Sequence, residues 1–180
     1  MKKKKTILLI ISGSIAAYKA LELIRLLIKN SITVVPVLTK SAEEFVTPMS
    51  VAVISGNNVY TDLFSLKDEA EIGHINLSRN ADLVVIAPAS ADIISKMALG
   101  LANDLASTLL LANDKKTLIV PAMNVKMWEN KAVRRNVDIL KKDGVIFLGP
   151  DSGDLACKEE GYGRMVEPEE ILKKVLAILE

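Results

Sequence analysis

Five short apolar runs, Thr6–Ile11, Thr33–Leu38, 83–87, 116–120 and 145–148, are spaced along the chain with helical patterns between them. They are near-continuous in apolar residues rather than alternating, so each predicts a strand covered on both faces. Strands of that kind separated by helices make an α/β fold: a doubly wound parallel sheet, Rossmann-like or flavodoxin-like, in three layers. Right-handed crossovers then place every strand's carboxyl end on one edge. The segments at Ser12, Thr39, Pro88, Pro121 and Gly149 therefore gather on one rim, where such sheets bind ligands. The length suits one domain spanning residues 1–180.

The helices are predicted at 15–28, ended by Asn30; from Ser41, where Ser41-Ala42-Glu43-Glu44 matches a capping box; after Pro48, closed by Ser55-Gly56; at 90–99 and 103–111; at Lys131–Lys142, capped by Gly144; and at Pro168–Leu179. Pro36 inside the second run argues for a bulge or a less central strand. Residues 59–61 read as a short strand and 62–73 as irregular. Pro88 is expected to close the strand before it, and 149–166 to form one long loop.

Charge excludes one function class. The net charge is +1 with both signs mixed along the chain, so there is no footprint for nucleic acid. No apolar run reaches membrane-spanning length. The lysines at 2–5 and the run behind them superficially resemble a signal peptide, but Ser12-Gly13-Ser14 interrupts it too early. The single cysteine, Cys157, excludes an internal disulfide and suits a reducing compartment, so a cytoplasmic location is expected. No metal site is expected.

Two kinds of segment on the rim carry chemistry. Pro121-Ala122-Met123-Asn124-Val125-Lys126-Met127-Trp128 sets one amide among two methionines and the only tryptophan. That is either a pocket wall with a polar hook or a plug for the top of the sheet. The turn Ser12-Gly13-Ser14-Ile15-Ala16-Ala17 is not a G-x-G-x-x-G fingerprint, yet it offers a helix amino terminus and hydroxyls to an anion. After the second strand, where a dinucleotide fold carries an acid for ribose, stand Thr39-Lys40-Ser41, which suit a phosphate. FMN fits better than NAD; the same residues could also be ordinary caps and turns.

Together these stretches resemble the flavin-dependent cysteine decarboxylases. The likeness also rests on His74-Ile75-Asn76-Leu77, Ala87-Pro88-Ala89-Ser90-Ala91-Asp92, Gly100-Leu101-Ala102-Asn103-Asp104-Leu105, Leu155-Ala156-Cys157 and Gly161-Tyr162-Gly163-Arg164-Met165, and runs from Thr6 to about Pro168. The family usually has Asn where Asp92 stands, and Gly where Lys158 stands. The resemblance implies FMN held by Gly13, Ser14, Ile15, Thr39, Lys40, Ser41, Ser90, Ala91, Asp92 and Ala122. It implies catalysis by His74, Asn124 and Cys157, and substrate contacts from Asn124, Met127, Leu155 and Ala156. The branch resembled most acts on phosphopantothenoylcysteine in coenzyme A biosynthesis. There the substrate's CH₂–S⁻ group is oxidised to a thioaldehyde, CO₂ leaves into the C=S bond, and the enethiol is reduced to phosphopantetheine.

His74 is the only histidine and has a suitable pKa range for proton transfer; a lone histidine can equally be structural. Asn124 would hold the substrate carboxylate by its amide N–H, and Cys157 would protonate the enethiol. Arg79 could bind substrate or sit in a surface ion pair. The family's oligomers imply a homotrimer, or a dodecamer built from trimers, in which a neighbour's histidine completes each site. The rivals are a peptidyl-cysteine decarboxylase of lantibiotic maturation, a prenylated-flavin synthase and a non-catalytic FMN-binding regulatory subunit. In many bacteria the domain is fused to the ligase that makes its substrate, so the chain is expected to be a stand-alone enzyme or half of such a fusion.

Overall fold

In the computed structural model the backbone is described for residues 4–63, 74–154 and 160–180, and the side chains for the same spans less 74–76, 154 and 160. The parallel sheet has the order β2-β1-β3-β4-β5, with β1 Thr6–Ile11, β2 Thr33–Leu38, β3 Leu83–Ala89, β4 Thr117–Pro121 and β5 Ile146–Phe147. This is the flavodoxin-like order, whose switch point lies between β1 and β3. The helices are α1 Ala17–Lys29, α2 Pro48–Ser55, α3 His74–Arg79, α4 Ala91–Ala98, α5 Leu105–Leu111, α6 Val125–Glu129, α7 Lys131–Lys142 and α8 Pro168–Leu179.

Strand periodicity divides β1 between two cores. Ile7, Leu9 and Ile11 pack with Leu23, Ile24 and Leu27 of α1 and with Ile171 and Val175 of α8. Leu8 and Ile10 pack on the other face with Ile93 and Ile94 of α4, Leu109 of α5 and Val137 and Leu140 of α7. All five β1 residues named are fully buried, which is why the sequence shows no alternation.

Pro36 lies on an edge strand, as its chemistry requires. Its carbonyl accepts the Tyr60 N–H at 3.1 Å, so its hydrogen-bonding side, and the missing N–H with it, faces away from β1. The expected strand at 59–61 reduces to that single bridge, Val37 with Tyr60.

Four expectations are corrected. The helix from Ser41 is only a 3-10 turn, Ala42–Glu44; Ser41 has helical angles itself and its side chain caps nothing. The Thr39 hydroxyl accepts the Ala42 N–H instead, at 3.3 Å. Pro88 does not close β3, which continues to Ala89. The proline falls where the β3–β4 register shifts, between Ile86 and Ala89, so its missing donor costs no ladder bond. The stretch between Pro121 and the Lys131–Lys142 helix, assigned no element of its own, contains α6, capped by Asn124. Finally, 149–166 holds an antiparallel pair, β6 Asp151–Asp154 and β7 Glu160–Arg164. Its glycines gave no apolar alternation to read, yet Gly153, Gly161 and Gly163 occupy it with positive φ.

Candidate active site

The switch point is closed by one side chain. Ser12, 1 % exposed at the end of β1, donates its hydroxyl to the Pro88 carbonyl and accepts the Ser90 N–H, both at 2.8 Å. Its own N–H also reaches the Pro88 carbonyl, at 3.2 Å. On the other side of β1, the Thr39 N–H donates to the Ile11 carbonyl at 3.0 Å. A Cβ on Gly13 would stand 2.5 Å from the Ser41 Cβ, so the first two turns meet only because residue 13 has no side chain. Ser12, Gly13, Ser41 and Ser90 are therefore brought together.

The Ser14 hydroxyl accepts the Ala16 N–H at 3.2 Å, and Thr39 accepts as above. Each hydroxyl keeps its O–H to donate. Ser90 caps α4 by accepting the Ile93 N–H at 3.4 Å. Ala91 and Ala122 are buried, and the Ala122 N–H donates to Ala89 at 3.0 Å. Ile15 and Tyr18 project outward at the start of α1, each more than half exposed. Two other expected FMN contacts are already paired. Lys40 lies 3.2 Å from Glu43, and Asp92 lies 3.1 Å from Lys96 on the exposed side of α4. Lys96 also lies 2.7 Å from Asp104, whose hydrogen bond holds the ammonium above its ordinary pKa. Asp92 and Asp104 thus share one ammonium, with Asp104 the closer of the two.

At the end of β4, Asn124 Oδ1 accepts the N–H groups of Lys126, at 2.7 Å, and Met127, at 3.4 Å. The oxygen is thus committed to α6. Trp128 is buried in the core beneath Arg134, while Met127 is about half exposed.

The hairpin docks here through main chain. The Met123 N–H donates to the Gly163 carbonyl at 3.0 Å. A Cβ on Gly163 would overlap the Met123 carbonyl oxygen, and one on Gly161 would press on Val125. Behind it, buried Lys19 donates to the Met165 carbonyl at 3.1 Å and to Glu167 at 2.8 Å, and Arg164 reaches the same carboxylate at 2.6 Å. The Lys19 hydrogen bond, aided by Arg164, holds Glu167 below the ordinary carboxylate range. Gly163→Ala is expected to lose roughly 1–3 kcal/mol from backbone strain alone, with faster proteolysis of the hairpin. Unchanged melting and proteolysis would contradict the docked arrangement.

Two sets of expected site residues remain outside this geometry. Leu155, Ala156 and Cys157 lie outside the described residues, as does the His74 side chain; the His74 backbone begins α3. Arg79 ends that helix, exposed. Its charge, after the Lys115 hydrogen bond, helps hold Asp114 below its usual pKa. Arg79 lies shortly before the start of β3, at the edge opposite the rim. The same edge holds a cavity of about 230 Å³ lined by Leu101, Leu110, Thr117 and Leu140, which no rim residue reaches. Sequence reasoning missed Ser12 and Lys19 as site supports; the signal for Ser12 was a hydroxyl placed directly between an apolar strand and a glycine.

The flavoprotein family model matches residues 1–180. The coenzyme A biosynthesis bifunctional protein CoaBC of Vibrio cholerae is 46% identical over 168 residues, which are 93% of this chain and 42% of that protein. The chain thus spans less than half the length of the curated relatives it matches. A solved structure of a mutant PPC decarboxylase complexed with pantothenoylaminoethenethiol is 34% identical, with a TM-score of 0.84 over 97% of this chain and 98% of that one. The FMN binding protein AtHal3 is 35% identical, with a TM-score of 0.85 over 97% and 96%. With the match running the full length of the chain and the switch point built as described, this chain belongs to the flavoprotein family.

Proposed function

We propose that this chain is an FMN-dependent decarboxylase domain that converts phosphopantothenoylcysteine to phosphopantetheine in coenzyme A biosynthesis. One observation carries the reading: the amide of Asn124 stands at the end of β4, on the same rim as the hydroxyl-bearing turns that Gly13, Ser41 and Ser12 hold together. The similarity to CoaBC and to PPC decarboxylase supports the substrate.

The residues present fit FMN. The amino termini of α1 and α4 face the rim from neighbouring strands, Ser14 and Thr39 keep donors for a phosphate, and the glycine at 13 leaves the turns close enough to share one ligand. Gly13, Ser14, Ile15, Thr39, Lys40 and Ser41 would hold it from one side, and Ser90, Ala91, Asp92 and Ala122 from the other. FMN, when bound there, would supply two-electron redox chemistry for the substrate's CH₂–S⁻ group.

The chain's own residues bind and move protons. The Asn124 amide would donate to the substrate carboxylate while Oδ1 stays on α6, so orientation is set by the helix cap. Met127, Leu155 and Ala156 would line the substrate. His74 would handle the proton of the first half-reaction, a role for which an imidazole is suited. Cys157 would give the proton that completes reduction of the enethiol, a thiol being a far stronger acid than a hydroxyl.

The proposed assembly is a homotrimer, or a dodecamer of trimers, in the cytoplasm. Phe45, Met49 and Val53 support burial against another copy: they form an exposed apolar face on and beside α2. No helix among the described residues is long and apolar enough to cross a membrane.

The test is the visible spectrum of the purified protein with mass spectrometry of the product from phosphopantothenoylcysteine. A yellow protein releasing phosphopantetheine is expected; a colourless one that takes up no FMN overturns the reading. Cys157→Ser separates the half-reactions. It should still release CO₂, but yield the oxidised aminoenethiol, short of a hydrogen pair, and bleach the flavin without oxygen. Phosphopantetheine at the normal rate would remove Cys157 as donor and favour a lantibiotic-type enzyme.

A further inference from the structure

We infer that Ser12 is a positioning residue for the flavin, setting the Gly13-Ser14 turn against the amino end of α4 without being a cofactor contact itself. The inference rests on the FMN reading above.

Buried serines commonly return their hydroxyl to a nearby residue of their own element. Ser12 does not. Its proton goes to Pro88, 76 residues on, and its lone pair takes the N–H of Ser90, 78 residues on. Both partners belong to the β3–α4 junction, and Ser90 is itself the cap of α4 through Ile93. The residue after Ser12 is the glycine pressed against Ser41. One hydroxyl thus fixes the spacing of the turns on the two sides of the switch point.

An alanine would leave the Ser90 N–H without its acceptor. The strands would stay joined, because the main-chain N–H of Ser12 still donates to Pro88 at 3.2 Å and the β1–β3 ladder is intact below. The change should therefore disturb the alignment of the turns more than the fold. A threonine keeps the hydroxyl.

The experiment titrates FMN into apoprotein without substrate, for wild type, Ser12→Ala and Ser12→Thr. It reads flavin fluorescence, visible circular dichroism of the bound flavin, and apoprotein melting. Ser12→Ala should weaken FMN binding roughly tenfold and alter the dichroism, with apoprotein melting close to wild type. Ser12→Thr should bind like wild type. Wild-type affinity and dichroism in Ser12→Ala would overturn the inference. So would equal failure of both variants, which would make shape rather than the hydroxyl responsible, and so would failure of Ser12→Ala to fold, which would make Ser12 a residue of the fold alone. If wild type takes up no FMN, it is the parent reading that falls.

Discussion

Asn124→Asp is expected to lose decarboxylation by about 10²–10³-fold while keeping its fold and its FMN. An aspartate oxygen can still accept the Lys126 and Met127 N–H groups that Oδ1 accepts now. A negative charge at the start of a helix is tolerated. So α6 should form as before. What disappears is the amide's donor end, replaced by a carboxylate facing the substrate's own carboxylate. Like charges at that distance oppose binding, and the oriented donor is gone. The measurement is CO₂ release across neutral pH, with thermal melting as the control. Wild-type rates would take Asn124 out of the substrate site.

His74→Asn should abolish CO₂ release to within about 10²–10⁴-fold below wild type, again with FMN retained. The sequence contains no second imidazole to substitute for it. Leu77 and Ser78, both buried, anchor the same helix from its inner side, so α3 does not depend on its first residue for its place. An asparagine can hydrogen-bond but cannot exchange a proton near neutrality. The diagnostic is single-turnover CO₂ release with flavin absorbance followed in parallel. Near-normal turnover would return His74 to a structural role.

Legibility in the sequence followed burial. The β1 and β3 runs were plain because both faces of each are covered, so every position is apolar. The helix at Pro48 was plain because Thr47 caps it and Gly56, at φ 65°, ends it. Where local chemistry competed with tertiary contact, reading failed. Ser41 matched a capping box, but it is drawn against Gly13 and takes helical angles, so it cannot be an extended cap. The β6–β7 pair was hidden because its glycines serve close approach to Met123 and Val125 rather than a core. Gly13, Ser41 and Asn124 were legible as residues of one rim, because each follows an apolar strand. The work of Ser12 was not, because a bond to a residue 78 positions away leaves no local pattern.

The two margins of the sheet bear on how copies of this chain can meet. At one margin Pro36 offers no donor on its outer side, and Tyr60 already occupies the Pro36 carbonyl and the Leu38 N–H. At the other, β5 is only Ile146–Phe147. Short strands and prolines at sheet margins are what keep strands of separate molecules from adding to one another. Crowded chains of this protein therefore have little template for a continuous intermolecular sheet. Contacts away from these two margins of the parallel sheet can instead close into a ring of fixed number rather than growing without limit.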